Sequence, residues 1–251
     1  MSPAAATPPG ATPPAPSARR TPRLLSWALD YAYVAGLQAR SVFGGALRRR
    51  PDPTLLATGD GPPVLLLPGV YETWTFLLPV ARRLNALGHP VWTVPALGLN
   101  RLPVADSARL ALDVLAERDL TDVVLVAHSK GGLIGKRMMV QEAEPRRIRG
   151  LVAVNTPFGG SRYASYLVGR TLRAFAPGNV DLLDLSAQAD ANERITSVYA
   201  EFDPHIPEQS VLAGATNIEL PLAGHFRPLA HPLLVDTVVE AVRRTSAAPP
   251  D

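Results

Sequence analysis

The chain has 251 residues, 47% of them apolar and 19% charged, with a formal net charge of +3. That is long enough for one large domain with a substantial core, and the composition is ordinary for a soluble globular protein. Cysteine is absent, which excludes disulfides, a thiolate nucleophile and cysteine metal sites and fits a reducing, cytoplasmic setting.

The positive charge lies in short arginine clusters, Arg48 to Arg50, Arg82-Arg83, Arg146-Arg147 and Arg243-Arg244. They are scattered and lack interleaved aromatics, so no nucleic-acid partner is expected.

Residues 1–22 are nearly all Ala, Pro, Ser, Thr, Gly and Arg. Such a segment buries too little apolar surface to offset its ordering entropy and is expected to be disordered. Residues 23–50 are expected to form an N-terminal helix. Its apolar run (Leu24, Leu25, Trp27, Leu29, Tyr31, Tyr33, Val34, Leu37) is interrupted by Ser26 and Asp30 and is too short to span a bilayer. Packing onto the domain body is the favoured role. Contact with a membrane surface, which would make the protein peripheral, is the alternative. The Arg19-Arg20 pair suggests a twin-arginine export signal, but Asp30, Pro22 and the lack of a small-residue cleavage site speak against one.

Past Pro51 the pattern alternates. Strands are expected at Val64 to Leu67, Val91 to Val94, Val123 to Val126, Leu151 to Val154, Ile195 to Ala200 and Asn217 to Leu220. Helices are expected at Thr73 to Leu87, Val104 to Arg118, Leu133 to Glu142 and Pro232 to Arg243. Apolar strands alternating with helices imply an α/β domain over residues 51–251, its mostly parallel central sheet flanked by helices on both faces.

The sharpest local feature is Val123 to Gly132, a buried strand running straight into a helix through Ala127-His128-Ser129-Lys130-Gly131-Gly132. A serine there sits on a tight turn above the sheet's carboxyl edge, and the small residues Ala127 and Gly131 relieve the crowding. The backbone N–H of Lys130 opens the following helix and points where an oxyanion would form. The Lys130 ammonium is expected to be solvated or paired.

This segment resembles the nucleophile elbow of the α/β-hydrolase superfamily, Gly-x-Ser-x-Gly, with Ala127 in place of the first glycine. The resemblance covers about residues 60 to 245. It implies the α/β-hydrolase fold and a serine nucleophile, Ser129, with no cofactor and no metal. Pro68-Gly69-Val70 resembles the loop that carries the second oxyanion donor in that family, which gives the Val70 N–H that role.

A serine needs a base and the base an orienting acid. The chain has five histidines. His89 precedes a strand, His128 neighbours the nucleophile but points elsewhere, His205 reads as a polar loop residue, and His231 enters the last helix. His225, in Gly224-His225 just past the last strand, sits where the family carries its catalytic histidine, with His231 as alternative. Asp203, before Pro204, matches the family's acid, with Asp181 and Asp184 as alternatives. Ser129, Asp203 and His225 then follow the family's chain order.

Residues 156–193 exceed a simple connection. They start at Thr156-Pro157-Phe158-Gly159-Gly160, similar to a turn in lipase-like members, and continue with an amphipathic pattern from Tyr163 to Phe175 and a second from Val180 to Leu185. A small helical cap lining an acyl pocket is expected, or else a packed helix pair without a substrate role.

The resemblance thus implies an esterase- or lipase-like enzyme acting on a small-molecule ester or lipid-like substrate. Acyltransferase or thioesterase chemistry on the same triad, and a non-catalytic binding protein of the same fold, remain alternatives. Oligomeric state is open.

Overall fold

The computed structural model describes residues 23–47, 51–142, 147–166, 170–173 and 175–247. The expected disorder of residues 1–22 and the last turn of the helix expected to end at residue 50 lie outside the described residues.

In chain order the elements are α1 (Arg23–Leu47), β1 (Val64–Leu67), α2 (Leu78–Ala86), β2 (Val91–Thr93), α3 (Val104–Glu117), β3 (Val123–His128), α4 (Lys130–Gln141), β4 (Ile148–Val154), α5 (Arg170–Arg173), α6 (Val180–Ala187), β5 (Ile195–Phe202), β6 (Thr216–Ala223) and α7 (Pro232–Ala247). The six strands pair in the order β2-β1-β3-β4-β5-β6, every pairing parallel. The sequence pattern implied a mostly parallel sheet; among the described residues it is wholly so.

Two cores explain the apolar strands. Successive side chains of a strand point to opposite faces. Leu65, Leu67, Val123, Leu125 and Ala127 therefore join α3, α4 and the insertion on one face. Val64, Leu66, Val124 and Val126 join α2 and α7 on the other. Every residue of β1 and β3 is buried, so periodicity is hidden in these strands.

Two expected helices differ in extent. The Thr73 to Leu87 pattern divides into a 3-10 turn, Trp74–Leu77, and α2, with Pro79 among the first residues of the helix proper, where its missing N–H costs nothing. The Tyr163 to Phe175 pattern is not one helix. A 3-10 turn spans Arg162–Tyr166 and α5 only Arg170–Arg173. Phe158, Phe175, Leu182 and Leu185 tie the insertion into the core, and Arg137 of α4 reaches Asp184 of α6 at 2.9 Å.

The N-terminal helix docks with an inverted pattern. Ser26 and Asp30 are buried, whereas Leu24, Leu25, Trp27, Leu29 and Tyr31 are exposed. Val34 and Leu37, further along the same face as Ser26 and Asp30, pack on the α2–α7 core. Residues four apart on a helix share a face, so the polar pair is what α1 turns toward the domain. No described helix is long and apolar enough to cross a membrane.

Candidate active site

Parallel pairing brings the carboxyl ends of β3, β4, β5 and β6 to one edge, where such sheets bind ligands. Ser129 follows β3 with φ 51° and ψ −121°, a conformation that costs an L residue energy. Packing holds it there. The Ser129 N–H donates to Val154 O at 2.9 Å, and the following helix lies against β1. A Cβ on Gly131 would fall 2.0 Å from Leu67 O, and one on Gly132 2.1 Å from Thr156 Oγ1. Both positions admit only glycine. Ala127, in the strand, is fully buried, so its methyl group fits where the family pattern has glycine.

Asp203, just past β5, and His225, just past β6, are both buried. Asp203 Oδ2 meets His225 Nδ1 at 2.6 Å, while Oδ1 accepts the N–H groups of His205 (2.8 Å) and Ile206 (3.1 Å). A carboxylate on Nδ1 keeps the proton there and leaves Nε2 as the acceptor. Burial works to raise the Asp203 pKa, but the His225 charge, its hydrogen bond and the His205 N–H hold it below the usual carboxylate value. For His225 burial works downward, and Asp203, with smaller help from Glu72 and Asp30, carries the pKa above the ordinary histidine value.

The sequence alternatives lie elsewhere. Asp181 and Asp184 are exposed on α6, the latter paired with Arg137. His231 is exposed at the start of α7, accepting the Leu233 N–H at 3.2 Å. His89 Nδ1 lies 2.8 Å from Pro62 O, beside the start of β1. Of the other four histidines, only His128 and His205 have rings near that of His225, tilted against it at centroid distances of 4.7 and 4.9 Å.

The turn after β1 is pinned from two sides. Gly69 N–H donates to Glu72 Oε2 at 2.8 Å and Tyr71 N–H to Leu99 O at 2.8 Å. Between them the Val70 N–H has no acceptor among the described residues. Lys130, first residue of α4, has an N–H with no intrahelical partner by position. The Lys130 side chain does something else. Its ammonium is buried and donates to Asn100 O (2.9 Å), Asn100 Oδ1 (3.0 Å) and Leu102 O. Asn100 Nδ2 in turn donates to Pro68 O at 2.7 Å. Burial pulls the Lys130 pKa down to about 8, so the group stays mostly charged at neutral pH and fastens the 97–102 loop to the Pro68-Gly69 turn.

Sequence reasoning passed over several residues that hold this edge together. Glu72 is buried and bridges the Gly69 N–H to His128 Nδ1, which lies 2.8 and 3.0 Å from its two oxygens. A Cβ on Gly69 would sit 2.6 Å from Glu72 Oε1, so a larger residue there would have to displace the Glu72 carboxylate. His128 Nε2 lies 3.0 Å from His225 O, which also accepts from Asn155 Nδ2 at 2.9 Å. His205, expected as a polar loop residue, instead stacks on Trp27 of α1 and lies tilted against the His225 ring. Burial, then repulsion from His225, lowers its pKa to about 4, so it adds no second cation beside His225. Two local signals were available: an acidic residue within the apolar run of α1, and another three residues after Gly69.

No family model matches the sequence, and no curated protein matches it either. Solved structures do. An extracellular α/β-hydrolase from a Paenibacillus species is 18% identical, with a TM-score of 0.54 over 74% of this chain and 100% of that one. The mature lipase BlEst2 of Bacillus licheniformis is 15% identical, with a TM-score of 0.53 over 74% and 94%. The enol-lactonase of Burkholderia xenovorans LB400 is 15% identical, with a TM-score of 0.52 over 74% and 92%. With its strand order, its serine between β3 and α4 and this likeness, the chain has the α/β-hydrolase fold.

Proposed function

We propose that the chain is a serine hydrolase of carboxylic esters, acting on a small-molecule ester or lipid-like substrate through an acyl-enzyme. The observation that carries this is the buried Asp203–His225 pair, 2.6 Å apart, at the same sheet edge as a serine held at positive φ. His225 takes the Ser129 proton, Asp203 holds the imidazole's tautomer, and Ser129 Oγ attacks the acyl carbon. The Val70 and Lys130 N–H groups stabilise the oxyanion. Collapse expels the alcohol with the proton from His225, and water attacks the acyl-enzyme by the same base. The lipase and enol-lactonase among the structural neighbours favour ester bonds as the class.

Incubation with a fluorophosphonate probe, followed by peptide mapping, tests the reading together with a chromogenic ester series of two to sixteen acyl carbons. Labelling at Ser129 with turnover on one part of the series is expected. A chain that neither labels nor turns over any ester would instead be a binding protein.

His225 must be neutral to act as base. Its pKa is raised by Asp203 against the pull of burial, so kcat/KM is expected to climb with pH through a midpoint above the ordinary histidine value of about 6.5. A pH titration reads this directly, and a midpoint below that value would contradict the assignment.

A further inference from the structure

The loop carrying His225 is held by a carboxylate from far away in the sequence. Asp30, on α1, is fully buried. Its Oδ2 accepts the His225 N–H at 3.0 Å, and its Oδ1 accepts those of Phe226 (2.9 Å) and Arg227 (2.8 Å). Three successive amides converge on one side chain, as they would on a bound anion. The 3-10 turn that follows, Arg227–Ala230, has no cap from its own N-cap residue, Phe226, so α1 supplies it.

The approach is close enough to dictate sequence. Gly224 has φ +121°, and a Cβ there would meet Asp30 Oδ1 at 2.6 Å. The glycine before the histidine is therefore required by Asp30 as well as by its own backbone. On the other side, the His225 carbonyl accepts from Asn155 Nδ2 and lies within hydrogen-bond distance of His128 Nε2. Both polar groups of the His225 backbone are thus committed, one to α1 and the other to the ends of β3 and β4. The imidazole hangs from a backbone with little freedom to pivot. A base misplaced by about 1 Å can cost on the order of a hundredfold in rate.

We propose that Asp30 is a positioning residue for His225, and that the N-terminal helix is in this sense part of the catalytic apparatus. This rests on the reading of Ser129 and His225 as nucleophile and base. Replacing the carboxylate by its neutral isosteric amide keeps its shape while weakening its grip: Asp30→Asn offers one acceptor oxygen and places an NH2 against an N–H donor. Removing the charge also removes one contribution to the raised His225 pKa, alongside those of Asp203 and Glu72 and against His205, whose charge would lower it.

The test is steady-state ester hydrolysis by full-length wild type and Asp30→Asn, with active sites counted by fluorophosphonate titration so that only folded enzyme is compared. A fall in kcat of roughly ten- to a hundredfold per labelled site is expected, with KM little changed and the acidic limb of the pH profile moved to lower pH. Equal kcat per site and an unmoved limb would overturn the proposal and leave Asp30 a purely structural cap. Wild type failing to label would instead sink the hydrolase reading. Should Asp30→Asn not fold, hydrogen exchange on the wild type decides: slow exchange at amides 225, 226 and 227 is expected, and exchange as fast as in open loops would overturn the proposal.

Discussion

Replacing Ser129 by alanine is expected to lower ester turnover by about a millionfold, to the level left by the oxyanion donors and substrate binding. The substitution removes one oxygen and nothing else that the fold needs. Among the described residues no hydrogen bond ends on Ser129 Oγ, whereas the Ser129 N–H to Val154 O bond and the positive φ belong to the backbone. Alanine meets the same penalty at φ 51° as serine, since both carry a Cβ. The melting temperature is therefore expected to hold while fluorophosphonate labelling disappears. Turnover above one part in a hundred of wild type, measured on the best ester of the series, would place the nucleophile on another residue.

Asp203→Asn is expected to cost about 10⁴ in kcat. The amide keeps the shape of the carboxylate, and its oxygen can still accept the His205 and Ile206 N–H groups that Oδ1 accepts now. The NH2 then faces His225 Nδ1, which must become an acceptor, and the ring proton moves to Nε2, the atom that should receive the serine proton. The fault is one of tautomer as well as charge. Losing the charge that does most to raise the His225 pKa also lets burial dominate, so the acidic limb of the pH profile should fall. The comparison is made per titrated active site. A loss below tenfold would send the acid role to another residue, although Asp181 and Asp184 are both exposed on α6.

Fold class was legible because it depends on pattern. Runs such as Val64 to Leu67 and Val123 to Val126 are apolar on both faces, which only a sheet covered on both sides can bury, and the helices between them dictate parallel pairing. The Ser129 turn was legible for a steric reason: Gly131 and Gly132 stand where a Cβ would strike Leu67 O or Thr156, and such demands write themselves into a few adjacent residues. Ends of elements were less so. The Tyr163 to Phe175 pattern met the apolar spacing of a helix, yet Arg162–Tyr166 forms a 3-10 turn, and the packing of Ala164 and Phe175 into the core is not encoded by local spacing.

What only the tertiary structure decided is the set of polar partners around the site. Glu72 lies against His128, Asn100 joins Lys130 to Pro68, and Asp30 reaches His225 from 195 positions earlier. A single acidic residue in an apolar run reads as an interruption, because propensity and periodicity concern neighbours along the chain. Its role comes from three amides that converge on it after folding. The sequence by itself therefore determined the layering of the sheet and the position of the Ser129 turn, since both follow from local sterics and apolar burial. Hydrogen-bond partners across the site were settled by chain topology, which brings distant donors and acceptors together in a buried place where none can be left unpaired without cost.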